Sequence, residues 1–214
     1  MRKFLTATLL CMALTVTMVP AAFAADTADS NYTTCMAAIQ EQKVIQDQAH
    51  QTAESLRQKG YDDSSAYIQA AQSTWWAAQD EIVAYQKLSQ YTDEDIRILT
   101  TAVFYEAGHT TEQLREYVAQ VVLNRVADSR FPDTVKGVIT QPGQYATKYA
   151  TQAATDSIKS ADSQNGTYYY AMCEAAVKKA MMGQVDMPSN VLYQANFAQG
   201  KGVWQSVYFN SGWY

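Results

Sequence analysis

The chain has 214 residues, with 21 acidic side chains against 16 basic ones and a formal net charge of −5. That balance excludes sequence-independent nucleic-acid binding, which needs basic patches to meet phosphate. With two histidines, no HExxH and no paired CxxC, no metal or other cofactor is expected.

Residues 1–24 read as an export signal. Arg2 and Lys3 form its charged start, Phe4 to Val19 its apolar stretch, and Ala22-Phe23-Ala24 its cleavage site. The apolar stretch is short for a bilayer span, which takes ~20 residues. Leu10 before Cys11 is too large for a lipoprotein cleavage site. The expectation is a secreted or cell-wall protein without a stable membrane anchor. Loss of Arg2 and Lys3 would take the charge from −5 to −7. Cys35 and Cys173 would remain, either as a disulfide or as two buried thiols.

Residues 32–58 are rich in Gln and Ala, with sparse apolar positions at Met36, Ile39, Val44 and Ile45, and read as a helix. Gly60 marks a turn, and 65–88 reads as a second helix. The pair is expected to form an antiparallel hairpin within an extension spanning 25–91. Trp75 and Trp76 are expected to pack it onto the following domain, in preference to serving as a sugar platform. Residues 32–90 could offer a surface to a protein partner.

Thr92 with Asp95 opens the next helix as a capping box. Ile96, Leu99 and Val103 recur at helical spacing, and Glu106 falls on that same apolar face just before Gly108. Desolvation and the negative end of the helix dipole would both favour its neutral form. A carboxylic acid kept protonated near neutral pH can protonate a leaving oxygen. The alternative is a Glu that caps a turn or points to solvent.

Thr110 and Gln113 resemble a second capping box, followed by one stripe of Leu114, Tyr117, Val118, Val121, Val122 and Arg125. Arg125 is expected to pair with a nearby acid. Arg130-Phe131-Pro132-Asp133 reads as a turn, Val135 to Ile139 as a short apolar element, and Gln141-Pro142-Gly143-Gln144-Tyr145 as a further turn. Residues 146–166 are polar and small, an insertion-like loop or a weak helix. Helical character resumes over 167–182 and closes at Gly183. The aromatic tail has strand-like pieces at Val191-Leu192-Tyr193 and Val207-Tyr208-Phe209.

From about Asp93 onward these segments, in this order, resemble the SleB-type cell wall hydrolases, the family of the spore cortex-lytic enzymes. Ala102 to Gly108 resembles the family's I-x-x-E-A motif, and Val118 to Val126 its A-x-V-V-L-N-R-V helix. Phe131 to Val135 resembles F-P-x-T-V, Gln141 to Tyr145 resembles Q-x-G-Q-F, and Val191 through Asn196 resembles A-L-Y-F-x-N. The chain departs from the pattern at His109, where many members carry a second acid. It departs again at Ala146, in place of a serine, and at Ser211-Gly212-Trp213-Tyr214, which lacks a terminal histidine.

The resemblance implies a mainly α (α+β) fold over 92–214. Its core would be helical and lysozyme or lytic-transglycosylase-like, with a small β-element. It implies cleavage of the β-1,4 bond between N-acetylmuramic acid and N-acetylglucosamine in peptidoglycan, with Glu106 as the acid. Gln144, Tyr145, Tyr193, Gln194 and Asn196 would bind the glycan strand. Asn124 would be a structural support that ties the Glu106 loop in place.

A lytic transglycosylase needs one acid, whereas an inverting hydrolase needs a second carboxylate ~6.5–9.5 Å away. Glu112, Glu116 and Asp133 are nearest in sequence, the first two expected on an outer helix face. The rival reading is a non-catalytic cell-wall-binding or interaction protein with a degenerate hydrolase domain. An amidase or peptidase is disfavoured by the lack of metal ligands, and a Cys173–His109 dyad by the helical setting of Cys173.

Overall fold

The computed structural model describes residues 29–160, 165–195, 202–204 and 207–210. The expected signal at 1–24, Asn196 and the terminal Ser211–Tyr214 lie outside the described residues. The chain is mainly helical, as expected, with a small three-stranded sheet at its end.

Helix α1 (Ser30–Gln58) and helix α2 (Ala66–Leu88) form the hairpin. Small residues let them approach closely, with Ala49, Ala53, Ala71 and Ala78 all buried. Gln46 Nε2 donates across the pair to Gln79 Oε1 at 3.0 Å. Gly60 turns the chain with φ +86°, a conformation that favours glycine. At the base, Asn31 Nδ2 donates to the carbonyls of Leu88 and Tyr91. The Asp93 carboxylate accepts from the Ser30 and Asn31 amides. Only this end reaches the main core, through Cys35, Leu88 and Tyr85.

The tryptophans therefore do not pack the hairpin onto the next domain. Trp76 is 63% exposed. It meets Trp75 edge-on at 4.8 Å beside a groove that Ala49, His50 and Ala53 also line. The reason is length: at 1.5 Å per residue, Trp75 sits roughly 20 Å along the helix axis from Leu88. Trp76→Ala should change stability by less than ~0.5 kcal/mol. A thermal unfolding curve checks this, and a clear fall in Tm would mean that Trp76 has a packing partner.

Helix α3 (Asp93–Ala107) starts at the expected capping box, with Thr92 and Asp95 bonded reciprocally. It buries Ile98, Leu99, Ala102 and Val103. It ends at Gly108, whose N–H donates to the Phe104 carbonyl. A Cβ at Gly108 would come within 2.5 Å of that carbonyl oxygen, so the turn needs glycine for space. The cap of helix α4 (Glu112–Ala127) is Thr111, which accepts from the Leu114 amide. Thr110, the expected cap, instead donates its hydroxyl to the Ala107 carbonyl at 2.6 Å.

Helix α4 is not a one-stripe helix. It buries Arg115, Glu116, Asn124 and Arg125 as well as its apolar residues. Its neighbours account for this: α3, helix α5 (Val135–Thr140), helix α7 (Gly166–Met181) and strand β1 (Tyr193–Ala195) all pack against it.

The segment at 146–166 also differs from a plain loop. It holds a 3-10 turn at Thr147–Ala150 and helix α6 (Gln152–Lys159), capped by Thr151. Arg97 on α3 pins it, donating Nη2 to the Ala150 carbonyl and Nη1 to the Thr151 carbonyl, each at 3.1 Å. Gly183, at φ +75°, follows the end of α7. The strands β1, β2 (Gly202–Trp204) and β3 (Val207–Asn210) are antiparallel in the order β1-β3-β2. The sheet docks on α4 through buried Phe209, edge-on to Tyr117 at 5.6 Å.

Cys35 and Cys173 are both buried free thiols in the core. Burial pushes the Cys173 thiol up to about 11, where it is a poor nucleophile near neutral pH. Reductant should leave Tm unchanged. A lower Tm in dithiothreitol would show that a disulfide forms.

Candidate active site

Glu106 occupies the last turn of α3, between buried Val103 and buried Ala107. The helical pattern predicts it on the apolar face, but Glu106 itself is exposed. The 147–150 turn packs against α3, and the Tyr149 hydroxyl is near enough to the carboxylate to influence it. Burial by its neighbours raises the Glu106 pKa, and the nearby Tyr149 hydroxyl partly opposes that rise. Neighbours thin the water around the carboxyl without closing it off, and a substrate could still reach it. Among the described residues no second carboxylate contributes to the shift.

Aromatic rings cluster with one another at this end of α3. Tyr105 stacks on Tyr149 with centroids 4.7 Å apart and planes 6° from parallel. The Lys148 ammonium lies 5.3 Å from the Tyr105 centroid. His109, at the position of the absent second acid, packs against Phe104 at 5.7 Å and Tyr169 at 4.4 Å. Tyr168 continues the series beside Tyr169 and is 60% exposed.

Tyr145 is half-buried and lies within electrostatic reach of Glu106. Burial pushes its phenol up to about 12, and its hydroxyl has no hydrogen-bond partner among the described residues. Gln144 beside it is half-buried, its amide bonded to the Gln141 carbonyl across the turn at Gly143, φ +77°. Tyr193 reaches the same region through Arg125: the guanidinium lies 5.5 Å from the centroids of both Tyr145 and Tyr193, and 5.3 Å from Phe131. Gln194 follows Tyr193 in β1, so it faces the other side of the strand, opposite Phe209. The structure thus brings Tyr145 near Glu106, joins Tyr145 to Tyr193 through Arg125, and leaves Gln194 on the other side of its strand.

Two expectations about α4 need correction. Asn124 is buried and structural, but the segment it ties is not the Glu106 loop. Its Nδ2 donates to the carbonyls of Pro188 and Val191, the approach to β1, and its Oδ1 accepts from Gln120. Asn124 lies on the last turns of α4, and that puts it beside β1. Arg125 has no acid partner among the described residues. Its Nε donates to the Leu192 carbonyl at 2.6 Å, and its charge rests on three aromatic faces.

The alternative carboxylates are placed elsewhere. Glu116 is buried rather than on an outer face, ion-paired with Lys179 on α7. Glu112 lies 3.5 Å from the same ammonium. These three line a cleft of about 490 Å³ that Glu106 does not border. Asp133 is exposed. Sequence reasoning missed Tyr149 and the ring-stacking role of Tyr105. Tyr105 stands inside the motif that drew attention to Glu106. Tyr149 stands in a polar run with no helical or strand period, and carries no such signal.

Residues 110–210 match the family profile described as Cell Wall Hydrolase. Curated relatives include a spore cortex-lytic enzyme of Halalkalibacterium halodurans, 34% identical over 108 residues, covering 44% of this chain and 33% of the relative. The spore cortex-lytic enzyme of Oceanobacillus iheyensis is 32% identical over 91 residues, covering 37% of this chain and 33% of that one. That of Bacillus subtilis is 27% identical over 119 residues, covering 50% and 39%. The chain therefore spans 33% to 39% of the length of these relatives. No solved structure matches it significantly. The resemblance to the SleB-type cell wall hydrolases is borne out over this stretch.

Proposed function

We propose that this protein is an exported peptidoglycan-cleaving glycosidase, acting in the cell wall or spore cortex on the β-1,4 bond between N-acetylmuramic acid and N-acetylglucosamine. Its type is a lytic transglycosylase with Glu106 as acid and base. One observation carries the reading. A single accessible carboxyl ends α3, shifted toward its neutral form, with no second carboxylate acting on it among the described residues. The family match and the names of the relatives support the wall as substrate. The placement of Glu112 and Glu116 on Lys179 disfavours an inverting hydrolase.

In this reading Glu106 gives its proton to the glycosidic oxygen as the bond to the muramoyl anomeric carbon breaks. The C6 hydroxyl oxygen of that sugar then bonds to the anomeric carbon, and its proton returns to the Glu106 carboxylate. The product is a 1,6-anhydro end, no water is consumed, and the acid is restored. Gln144, Tyr145, Tyr193, Gln194 and Asn196 would hold the glycan, with Asn124 as support. The catalytic unit would be 92–214, with the hairpin at 25–91 as an extension open to a protein partner.

The test is digestion of purified vegetative and cortex peptidoglycan, with released fragments identified by mass. Anhydro-muropeptides from the wild type and none from Glu106→Gln support the reading. Reducing ends without the anhydro form would mean a hydrolase. No release from either substrate would favour a wall-binding role.

A further inference from the structure

The hairpin carries a groove that the fold does not use. It lies where α1 and α2 face each other and encloses about 310 Å³. Ala49, Ala53 and Ala71 line it and are buried, and alanine leaves open the space that a leucine would fill. Two indoles also line it, Trp75 and Trp76, with centroids 4.8 Å apart and planes at 86°. A lone exposed ring on a surface needs no explanation. Two rings at a right angle beside a groove make a shaped surface, and at about 300 Å³ such a groove reaches the size of small-ligand pockets.

The chemistry of the groove selects its occupant. Of the lining residues only Arg57 carries a fixed charge, and Glu54 and Asp63 already pair with it at 2.6 and 2.9 Å. A strongly acidic or basic segment finds no complement here. A second copy of the chain would need a broad apolar face, since stable interfaces bury about 1,200–2,000 Å². The residues three and four places either side of Trp76 are Gln72, Ser73, Gln79 and Asp80, so the apolar patch is interrupted at once in both directions. The ligand that fits is small and uncharged, with apolar faces and a polar edge. A β-1,4-linked N-acetylhexosamine has that form. Its ring substituents are equatorial, so axial C–H groups make both faces apolar, and hydroxyl and N-acetyl groups form the edge. Those C–H groups complement the negative face of an indole. His50 and Gln72, both exposed on the lining, offer hydrogen-bonding groups to the edge.

We propose that the Trp75–Trp76 groove is a second binding site for the wall glycan, in which an N-acetylhexosamine lays one face on the Trp76 indole and turns its polar edge to His50 and Gln72. The proposal rests on the reading of the wall glycan as substrate. It gives the hairpin a part in holding that substrate. Peptidoglycan is an insoluble lattice of one repeated glycan, so a weak second site keeps the chain on the lattice between encounters at the first. Linking two weak sites raises the overall hold through effective concentration, without any new contact at either. The bonds of Asn31 and Asp93 at the base tie this arm to the start of α3, the helix that ends at Glu106.

The experiment titrates the full chain with a soluble β-1,4 oligomer of N-acetylglucosamine and follows the indole N–H signals of Trp75 and Trp76 by NMR. Both signals should move together and saturate with a Kd on the order of 1 mM. Trp76→Ala should weaken Kd roughly tenfold, the size of one aromatic contact, at an unchanged Tm. Trp76→Phe, which keeps a ring face, should recover most of the loss. Co-sedimentation with insoluble peptidoglycan should rank the three proteins in the same order. Indole signals that stay still up to about 10 mM oligomer, ten times the expected Kd, would overturn the proposal. So would a Trp76→Ala variant that binds as tightly as wild type. Signals that move with protein concentration alone would also overturn it, because a second copy would then fill the groove. None of these readouts needs turnover, so the two readings fail separately. Moving indoles in a chain that cleaves nothing would keep the groove and remove the catalytic reading, and cleavage with silent indoles would do the reverse.

Discussion

Glu106→Gln is expected to lower peptidoglycan cleavage at least about a thousandfold, within the 10²–10⁴ range that general acid catalysis contributes. Gln has nearly the same shape, but it has no acidic proton to give. Because Glu106 is exposed, the substitution should leave stability within ~0.5 kcal/mol. Rate and stability must therefore separate. The pH dependence follows from the same group. Its pKa is raised in the folded protein, so the acid form persists to a higher pH than in a free carboxyl. Activity should fall as the pH rises through that value, and Glu106→Gln should abolish the limb along with the rate. Release of dye-labelled peptidoglycan fragments measures both. A variant that keeps a tenth of the wild-type rate would mean that another group supplies the proton.

The largest stability effect is expected at Arg125. Only 4% of this residue is exposed, and it has no carboxylate partner among the described residues. Its cation is held instead by the faces of Phe131, Tyr145 and Tyr193 and by the Leu192 carbonyl. Arg125→Ala would remove all three ring contacts, each worth about 0.5–2 kcal/mol. It would also strip the Leu192 carbonyl of this donor, a further loss of about 1–3 kcal/mol. These terms are not additive, and part of each is offset by relief of the buried charge. A net loss of about 3 kcal/mol is expected, or roughly 6–12 °C in Tm for a chain of this size. Arg125→Lys should recover little, because an ammonium cannot lie flat against several rings. Thermal unfolding decides this, and a loss under 1 kcal/mol would contradict the cage. The same substitution should also weaken cleavage, since Tyr145 and Tyr193 share this one support.

Local patterns were read well where chemistry and period agreed. The Thr92–Asp95 capping box, the helices on either side of Gly60 and the break at Gly108 each follow from a few adjacent residues. Glu106 was legible for the same reason, as a carboxylate in a helical series that ends at a glycine. Its exposure was not, because a helical period gives direction from the axis and not how far the core extends beneath the last turn. The reading of α4 failed in the opposite sense. Glu116 looks like part of a solvated face by type, and Arg125 like the partner of an acid. Glu116 and Arg125 are buried because partners far along the chain satisfy them, Lys179 for the first and the Leu192 carbonyl for the second, whereas Arg115 bonds the nearby Gly108 and Thr110 carbonyls. Trp75 and Trp76 show the converse, large rings left near the surface of a hairpin too long to bring them to the core. Tyr149 acquires its meaning only once Arg97 folds its turn against α3.

The most direct measurement is digestion of purified peptidoglycan in water enriched in heavy oxygen, with the new chain ends read by mass. Intramolecular attack by the muramoyl C6 hydroxyl takes up no solvent oxygen. The one-carboxylate account predicts unlabelled 1,6-anhydro ends, formed by the wild type and lost with Glu106→Gln. Reducing ends that carry the heavy label would contradict it, because they require an activated water and a second group to activate it.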